Sequence, residues 1–457
     1  MNRARGAVTL PGALDLAPEV LALRPRGLVR AMLRQPLSFW ALFAYVFFEY
    51  VRPQSIYAWL DILPFARITL LTAVGAMLLE ANGKRRWTLV DTGMVAFTLV
   101  LLASVLTSFD RAYALANIDL YLSWVLVYLA LSTTVNTQTR FVLLLSGWLL
   151  WNLKMSLFAF RSWAGIGFAF RDWGVVGAPG WFSNSGEFGI EMCVVFPISL
   201  YFALGLRRRV SRPVFLALLV APFTAVAGVV ASASRGALVA VAVIGLWMLL
   251  RSRYKVRGLF ALAVFAVAFY AAVPPEQKVR LSASGEDQTS QNRIVYWNRG
   301  LEIAREYPLL GVGYKNWSPY NAVRWRGDGE RLGLPHNIFI ECIAELGYLG
   351  FAALLLLLGG GFWLNARTRA LARSLGERGH LSEQLAWGLD GGLIGYMASG
   401  FFVTVLYYPF QWVNLGLTVG LHLSVARAAR SARPVDPSLL RPRAGSPAVS
   451  GRNSGGG

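Results

Sequence analysis

The chain has 457 residues, 56% of them hydrophobic and only 15% charged, with a mean hydropathy of +0.49, which is too apolar for an ordinary soluble domain. Its formal net charge of +20 does not point to nucleic acid. The basic residues cluster between apolar runs, as the positive-inside rule requires of cytoplasmic loops, so no nucleic-acid partner is expected. The fold class this implies is an all-α polytopic membrane protein whose main solvent is the lipid bilayer.

Residues 1–37 contain Arg and Pro and lack an apolar core followed by small residues, so no cleavable signal is expected and the first span directs insertion. Apolar runs long enough to cross a bilayer, roughly 20 residues or somewhat fewer when packed among others, number about twelve. They fall near 38–51, 65–80, 92–109, 117–134, 141–160, 185–206, 213–232, 236–250, 258–273, 338–364, 386–408 and 411–428. The stretch VRPQSIYAWLDILPFA (51–66) is punctuated by proline and reads as a re-entrant or interfacial turn. Cys193 and Cys342 lie within apolar runs and are expected to pack as small hydrophobes.

Charge orients this plan. With a cytoplasmic N-terminus, the inside segments hold Arg24, Arg26, Arg30 and Arg34, then KRR (84–86), Arg140, RRRVSR (207–212) and RSRYKVR (251–257). An even number of spans returns the C-terminus to the cytoplasm. The expected organisation is a cytoplasmic segment 1–37, spans one to nine over 38–273, a large extracytoplasmic loop at 274–337 between the ninth and tenth spans, spans over 338–428, and a disordered cytoplasmic tail at 429–457.

The outside loop departs from the charge rule, carrying Arg293, Arg299, Arg305, Lys315 and Arg324 among others. Within it, NRIVYWNRGLEIAREY (292–307) has Ile294, Val295, Trp297, Leu301, Ile303 and Ala304 spaced for an amphipathic helix on the membrane-facing surface. A solvated loop balanced by its own carboxylates is the plain alternative for any one arginine there. Arg235 occupies a very short outside turn in ASASRGALVA (231–240), among small residues that permit close backbone approach. A guanidinium in such a turn suits an anion, which it binds through a planar fork, though it equally suits lipid headgroups. At PHNIFIECIAELGYLG (335–350), His336 and Asn337 stand at the mouth of an apolar helix that carries Glu341 and Glu345 at four-residue spacing. Glu187 and Glu191 repeat that spacing on an earlier span; intramembrane carboxylates face a protein interior and pair. Lys154 and Asp390 are similar charges without a motif.

Three stretches in order, SASRGA (232–237), NRIVYWNRGLEIAREYPLLGVGYKNW (292–317) and PHNIFIECIAELGYLG (335–350), resemble the signature motifs of the bacterial O-antigen ligase and polymerase superfamily, and WFSNSGEFGIEM (181–192) resembles a further one. SFWALFAYVFFEYVRPQS (38–55) looks like members found in exopolysaccharide or exosortase settings. The resemblance implies a metal-independent, inverting glycosyltransferase of the bacterial inner membrane, without cofactor. It would move a glycan from an undecaprenyl pyrophosphate carrier to an acceptor hydroxyl on lipid A-core, polysaccharide or protein, at the periplasmic face. It further implies His336 as catalytic base, Arg235 and Arg293 as pyrophosphate ligands, and Asn337, Glu341, Glu345, Glu187 and Tyr314 as supporting or acceptor-binding residues. The residues agree with that chemistry on their own terms. An ordinary histidine pKa of about 6.5 suits a general base, and a departing pyrophosphate calls for cations. A polymerase of the same superfamily and a lipid-linked glycan flippase are the alternatives; polar residues gathered on one side, without an internal repeat, favour an enzyme.

Overall fold

The computed structural model describes residues 18–80, 85–169, 174–252, 255–256, 258–260, 263, 288–326 and 333–432. These residues are helical and turn structure, and seven helical stretches are long and apolar enough to cross a bilayer. The chain is thus a polytopic membrane protein, all-helical among the described residues. We number the main helices α1 (Pro25–Leu33), α2 (Leu37–Tyr50), α3 (Phe65–Leu79), α4 (Leu89–Leu106), α5 (Ile118–Thr134), α6 (Gln138–Gly165), α7 (Ser185–Leu206), α8 (Arg212–Ala231), α9 (Arg235–Arg251), α10 (Gln288–Glu306), α11 (Trp317–Arg324), α12 (Ile338–Ser374), α13 (His380–Gly400) and α14 (Pro409–Ser431).

Most of the expected spans coincide with one of these helices. Most of the expected span at 258–273, the outer loop before Gln288, the segment 1–17 and the tail beyond 432 lie outside the described residues. One boundary is corrected: the apolar run 386–408 is not a single span, because α13 ends at Gly400 and residues 401–408 leave the helix before Pro409 opens α14. The proline-punctuated stretch 51–66 consists of a one-turn helix Pro53–Ile56 and a 3-10 turn Ala58–Leu60. It exposes Trp59 (73%) and Ile62 (72%), side chains suited to the boundary between lipid and water.

Helix α7 forms the most extensive packing in the molecule, against α13, and α12 joins α4, α13 and α14. The close approach of α7 and α13 depends on small residues. A Cβ on Gly395 would fall 2.6 Å from the Cys193 carbonyl oxygen, and one on Gly388 would fall 3.0 Å from the Ile198 Cα. Dispersion contacts of this kind hold helices together where lipid removes the hydrophobic drive. Toward the C-terminal end of α12, Asp390 pairs with Arg369 at 2.5 Å and receives Asn365 at 2.9 Å, so this buried carboxylate serves helix pairing. Lys154 is exposed.

The amphipathic helix is present as α10, but its buried face is Tyr296, Arg299, Gly300, Ile303 and Ala304, while Ile294 and Leu301 point outward. Gly300 meets Ile340 so closely that a Cβ would lie 2.3 Å from its side chain. The helix therefore packs on the N-terminal end of α12.

Candidate functional site

Helix α12 is broken near its N-terminal end. Gly347 has φ +65° and ψ −167°, a conformation closed to other residues, and the segment 308–313 fills the gap. Val312 and Gly313 N–H groups donate to the carbonyls of Ala344 and Glu345, both at 2.9 Å, and the Tyr348 N–H donates to Pro308 at 2.7 Å. The backbone groups freed by the break are paired, as burial requires. This explains PLLGVG in chemical terms: Gly311 lies so close to Glu345 that a Cβ would fall 2.5 Å from its carbonyl carbon.

Glu345 fastens the next few residues. Its Oε2 accepts the Lys315 N–H at 3.0 Å and the Tyr407 hydroxyl at 2.9 Å, and its Oε1 accepts the Trp317 N–H at 3.1 Å. Glu341, one turn earlier, accepts the Leu406 N–H at 3.2 Å. Both carboxylates are buried and hold backbone. Tyr314 is likewise structural in its contacts: it is fully buried, donates its hydroxyl to the Asn117 carbonyl at 3.0 Å, and sets its ring edge-on to Tyr407 at 4.8 Å. Asn337 caps α12, its Oδ1 accepting the Phe339 and Ile340 N–H groups at 2.9 and 3.2 Å.

His336 precedes that cap with φ +46°, an uncommon conformation for a residue with a Cβ. Neighbours on both sides hold it there. The His336 N–H donates to Thr404 Oγ1 at 2.8 Å, and the preceding Pro335 carbonyl accepts the Trp297 indole N–H from α10 at 3.0 Å. Burial and the positive charge of Arg293 push the imidazole pKa down to about 4, so the ring is neutral through the physiological range. The ordinary value of about 6.5 does not apply. Arg293 itself is half-buried on α10.

Arg235 is also half-buried, at the first position of α9. Ala233 before it has φ +52°, and Ser234 Oγ accepts the Ala237 N–H. The turn seats on α7 through Gly189, where a Cβ would lie 2.8 Å from the Ala237 Cβ. Glu187, in the first turn of α7, accepts the Tyr408 hydroxyl at 2.9 Å. Glu191, one turn deeper, is 1% exposed.

A single connector therefore touches the surroundings of nearly every residue singled out from the sequence. Within 401–408, Phe402 packs over Gly236 beside Arg235, Thr404 holds His336, Leu406 and Tyr407 meet Glu341 and Glu345, and Tyr408 meets Glu187. Phe401 also stacks edge-on with Trp297 at 5.1 Å. Sequence reasoning missed this connector because FFVTVLYY is apolar enough to read as the continuation of a span. Gly400 before it and Pro409 after it were the available signals for a helix end and a helix start. Electrostatics couple His336 with Arg293 directly, and the connector links the surroundings of Arg235 and Glu187 to the same region.

The comparisons with known proteins fall on this part of the chain. Residues 221–355 match the family model described as O-Antigen ligase, a range that includes Arg235, Arg293, His336, Glu341 and Glu345 but ends before the 401–408 connector. The exopolysaccharide production protein ExoQ of Rhizobium meliloti (strain 1021) is 32% identical over 96 residues, which covers 18% of this chain and 21% of that protein. The match thus spans about a fifth of the curated relative's length.

Proposed function

From a membrane chain whose residues 221–355 are an O-antigen ligase family domain, we propose a glycosyltransferase that moves a glycan from a polyprenyl pyrophosphate carrier to an acceptor hydroxyl at the outer face of the bacterial inner membrane. Family members are ligase and polymerase enzymes working on lipid-linked glycans, and the outer-face site supplies a base and cations for that chemistry. The observation that carries the reading is His336: an imidazole kept neutral, fixed in a left-handed backbone by Thr404, within the field of Arg293.

In the proposed step the acceptor hydroxyl oxygen attacks the anomeric carbon, and its proton passes to the neutral His336 ring. The bond from the anomeric carbon to the pyrophosphate oxygen breaks, and the electron pair leaves with the polyprenyl pyrophosphate. A single displacement inverts the anomeric configuration. Arg293 and Arg235 balance the charge on the leaving group, which needs no divalent metal. A bound pyrophosphate also offsets the field of Arg293, so the His336 pKa rises when donor enters and the ring becomes a stronger base only in the loaded site.

The name of the exopolysaccharide relative favours one version of the acceptor, a second lipid-linked repeat unit, which would make the enzyme a polymerase rather than a lipid A-core ligase. The test is transfer by purified protein in nanodiscs, using lipid-linked donor and acceptor fractions from the source cells. His336→Ala is expected to lose transfer by about 10²- to 10⁴-fold while donor accumulates, and wild-type transfer should persist in EDTA. Undiminished transfer by His336→Ala would overturn the base. Movement of donor across a bilayer without any transfer in wild type would indicate a flippase.

A further inference from the structure

A second cluster of polar and aromatic side chains lies where the outer ends of α2, the segment 180–187 and the 401–408 connector meet. Trp181 stands edge-on to Tyr408 with ring centroids 5.0 Å apart, and Arg52 places its guanidinium 6.0 Å from the Trp181 ring. Glu49, 7% exposed, accepts both the Trp181 indole N–H and an Arg52 N–H, the latter at 3.2 Å. Tyr408 donates to Glu187 at 2.9 Å.

The arrangement is built rather than incidental. Arg52 takes φ +47°, and Gly180 lies under its guanidinium so closely that a Cβ there would fall 2.1 Å from Nη1. Yet the side chains that meet there are not sealed: Trp181, Tyr408, Glu187 and Arg52 are all half-buried. Their hydrogen-bonding capacity is also only partly used. A carboxylate has about four acceptor sites and a guanidinium five donors, and the Arg52 Nε is buried without a hydrogen-bond partner among the described residues.

We propose that Trp181, Tyr408, Glu187 and Arg52 form a subsite for a sugar ring of the acceptor glycan; this rests on the transferase reading above. The exposed parts of the half-buried Trp181 and Tyr408 rings offer apolar surface to the C–H side of a pyranose, while the carboxylate and guanidinium accept from and donate to its hydroxyls, the division of labour usual in ligand sites. The charge selects acceptor over pyrophosphate, because Glu49 and Glu187 outnumber Arg52 here, whereas the cations of the other cluster lie near Phe402 and Trp297. The connector orders the parts: Phe402 beside Arg235, Thr404 on His336, then Tyr408 in the subsite. Four residues span at most about 14 Å, so the base lies within a few sugar-ring diameters of the bound acceptor.

The test uses lipid-free glycan, released by mild acid from the source cells' own carrier pool, as the probe. Its binding to full-length protein in nanodiscs is read by saturation-transfer NMR, alongside transfer kinetics. The near-isosteric Glu187→Gln, together with Tyr408→Phe and Trp181→Ala, is expected to weaken probe binding and raise the acceptor KM, each by roughly tenfold as for a lost hydrogen bond or ring contact, with the donor KM unchanged. Trp181→Phe should recover part of the Trp181→Ala loss. Wild-type binding and acceptor KM in both Glu187→Gln and Trp181→Ala, or a rise confined to the donor KM, would overturn the subsite. If wild type shows no transfer but binds the probe, and Glu187→Gln does not, the subsite stands and the transferase reading falls.

Discussion

Thr404 Oγ1 accepts the backbone N–H of His336 at 2.8 Å, so a side chain of the 401–408 connector helps fix the backbone angle of the residue just before the Asn337 cap of α12. The bond matters because a left-handed conformation costs a residue with a Cβ about 1–2 kcal/mol, and such strain persists only where its surroundings enforce it. Thr404→Val keeps the shape and removes the acceptor. We expect transfer to fall about tenfold, in line with a buried N–H left unpaired, with Thr404→Ser retaining most of it. Single-turnover rates at saturating donor provide the measurement.

The pH dependence follows from the His336 pKa of about 4 against an ordinary value near 6.5. Because the free enzyme keeps the ring neutral, kcat/KM should stay level from pH 7 down to about 5 and fall only as pH approaches 4, whereas kcat, which reports the donor-loaded site, should break at higher pH. For stability the sign is the same. Between about 6.5 and 4 the unfolded chain binds the proton and the folded one does not, so His336 makes folding less favourable as pH falls through that window. A kcat/KM profile that breaks near 6.5 would contradict the depressed value.

Arg293 is the charge that helps depress that pKa. Arg293→Gln should therefore move the kcat/KM break upward, toward 6.5, as well as weaken donor binding. Arg293→Lys should leave the break low, because the charge remains, but lose roughly tenfold or more in transfer because the planar fork is gone. Arg235→Lys should resemble Arg293→Lys in rate. Full pH–rate profiles of the three variants separate charge from geometry.

Glu345→Ala would leave the Lys315 and Trp317 N–H groups and the Tyr407 hydroxyl without their acceptor. Each unpaired buried group costs about 1–3 kcal/mol, so the variant should melt well below wild type in nanodiscs, with Glu345→Gln intermediate. A melting point equal to wild type would show that these contacts contribute little.

Topology is checked with reporter fusions. Alkaline phosphatase should be active when fused within 308–326 and inactive within 207–212 or after Ser431, because α12 must bring its N-terminal end, with His336, to the outside for periplasmic transfer.

The helices were legible in the sequence because apolar length is a local property. PHN and SASRGA stood out for the same kind of reason, as isolated charges beside apolar runs. What Glu345 does was not legible, since its partners Lys315, Trp317 and Tyr407 are up to 62 residues away, and no spacing rule links a helix carboxylate to two backbone amides and a phenol. The 401–408 connector escaped because hydropathy cannot separate apolar residues that face lipid from those wedged between helix ends: Leu406 and Tyr407 are buried in protein. The histidine pKa was illegible on similar grounds, being set by burial and by Arg293 on a different helix.

The gap in α12 has a consequence for how this domain can be recombined. The carbonyls of Ala344 and Glu345 accept the amides of Val312 and Gly313, and the Tyr348 and Leu349 amides donate to Pro308 and Leu309, so 308–313 and 344–349 behave as two halves of one interlocked cassette. A chimera joined between 313 and 338 would pair one parent's broken helix with the other's filler, and any mismatch in register would strand polar backbone at the edge of the bilayer. Crossovers placed before 308 or after 349 keep both halves from one parent. Homologous exchange, in the laboratory or in a genome, should therefore tolerate breakpoints outside the cassette far better than within it.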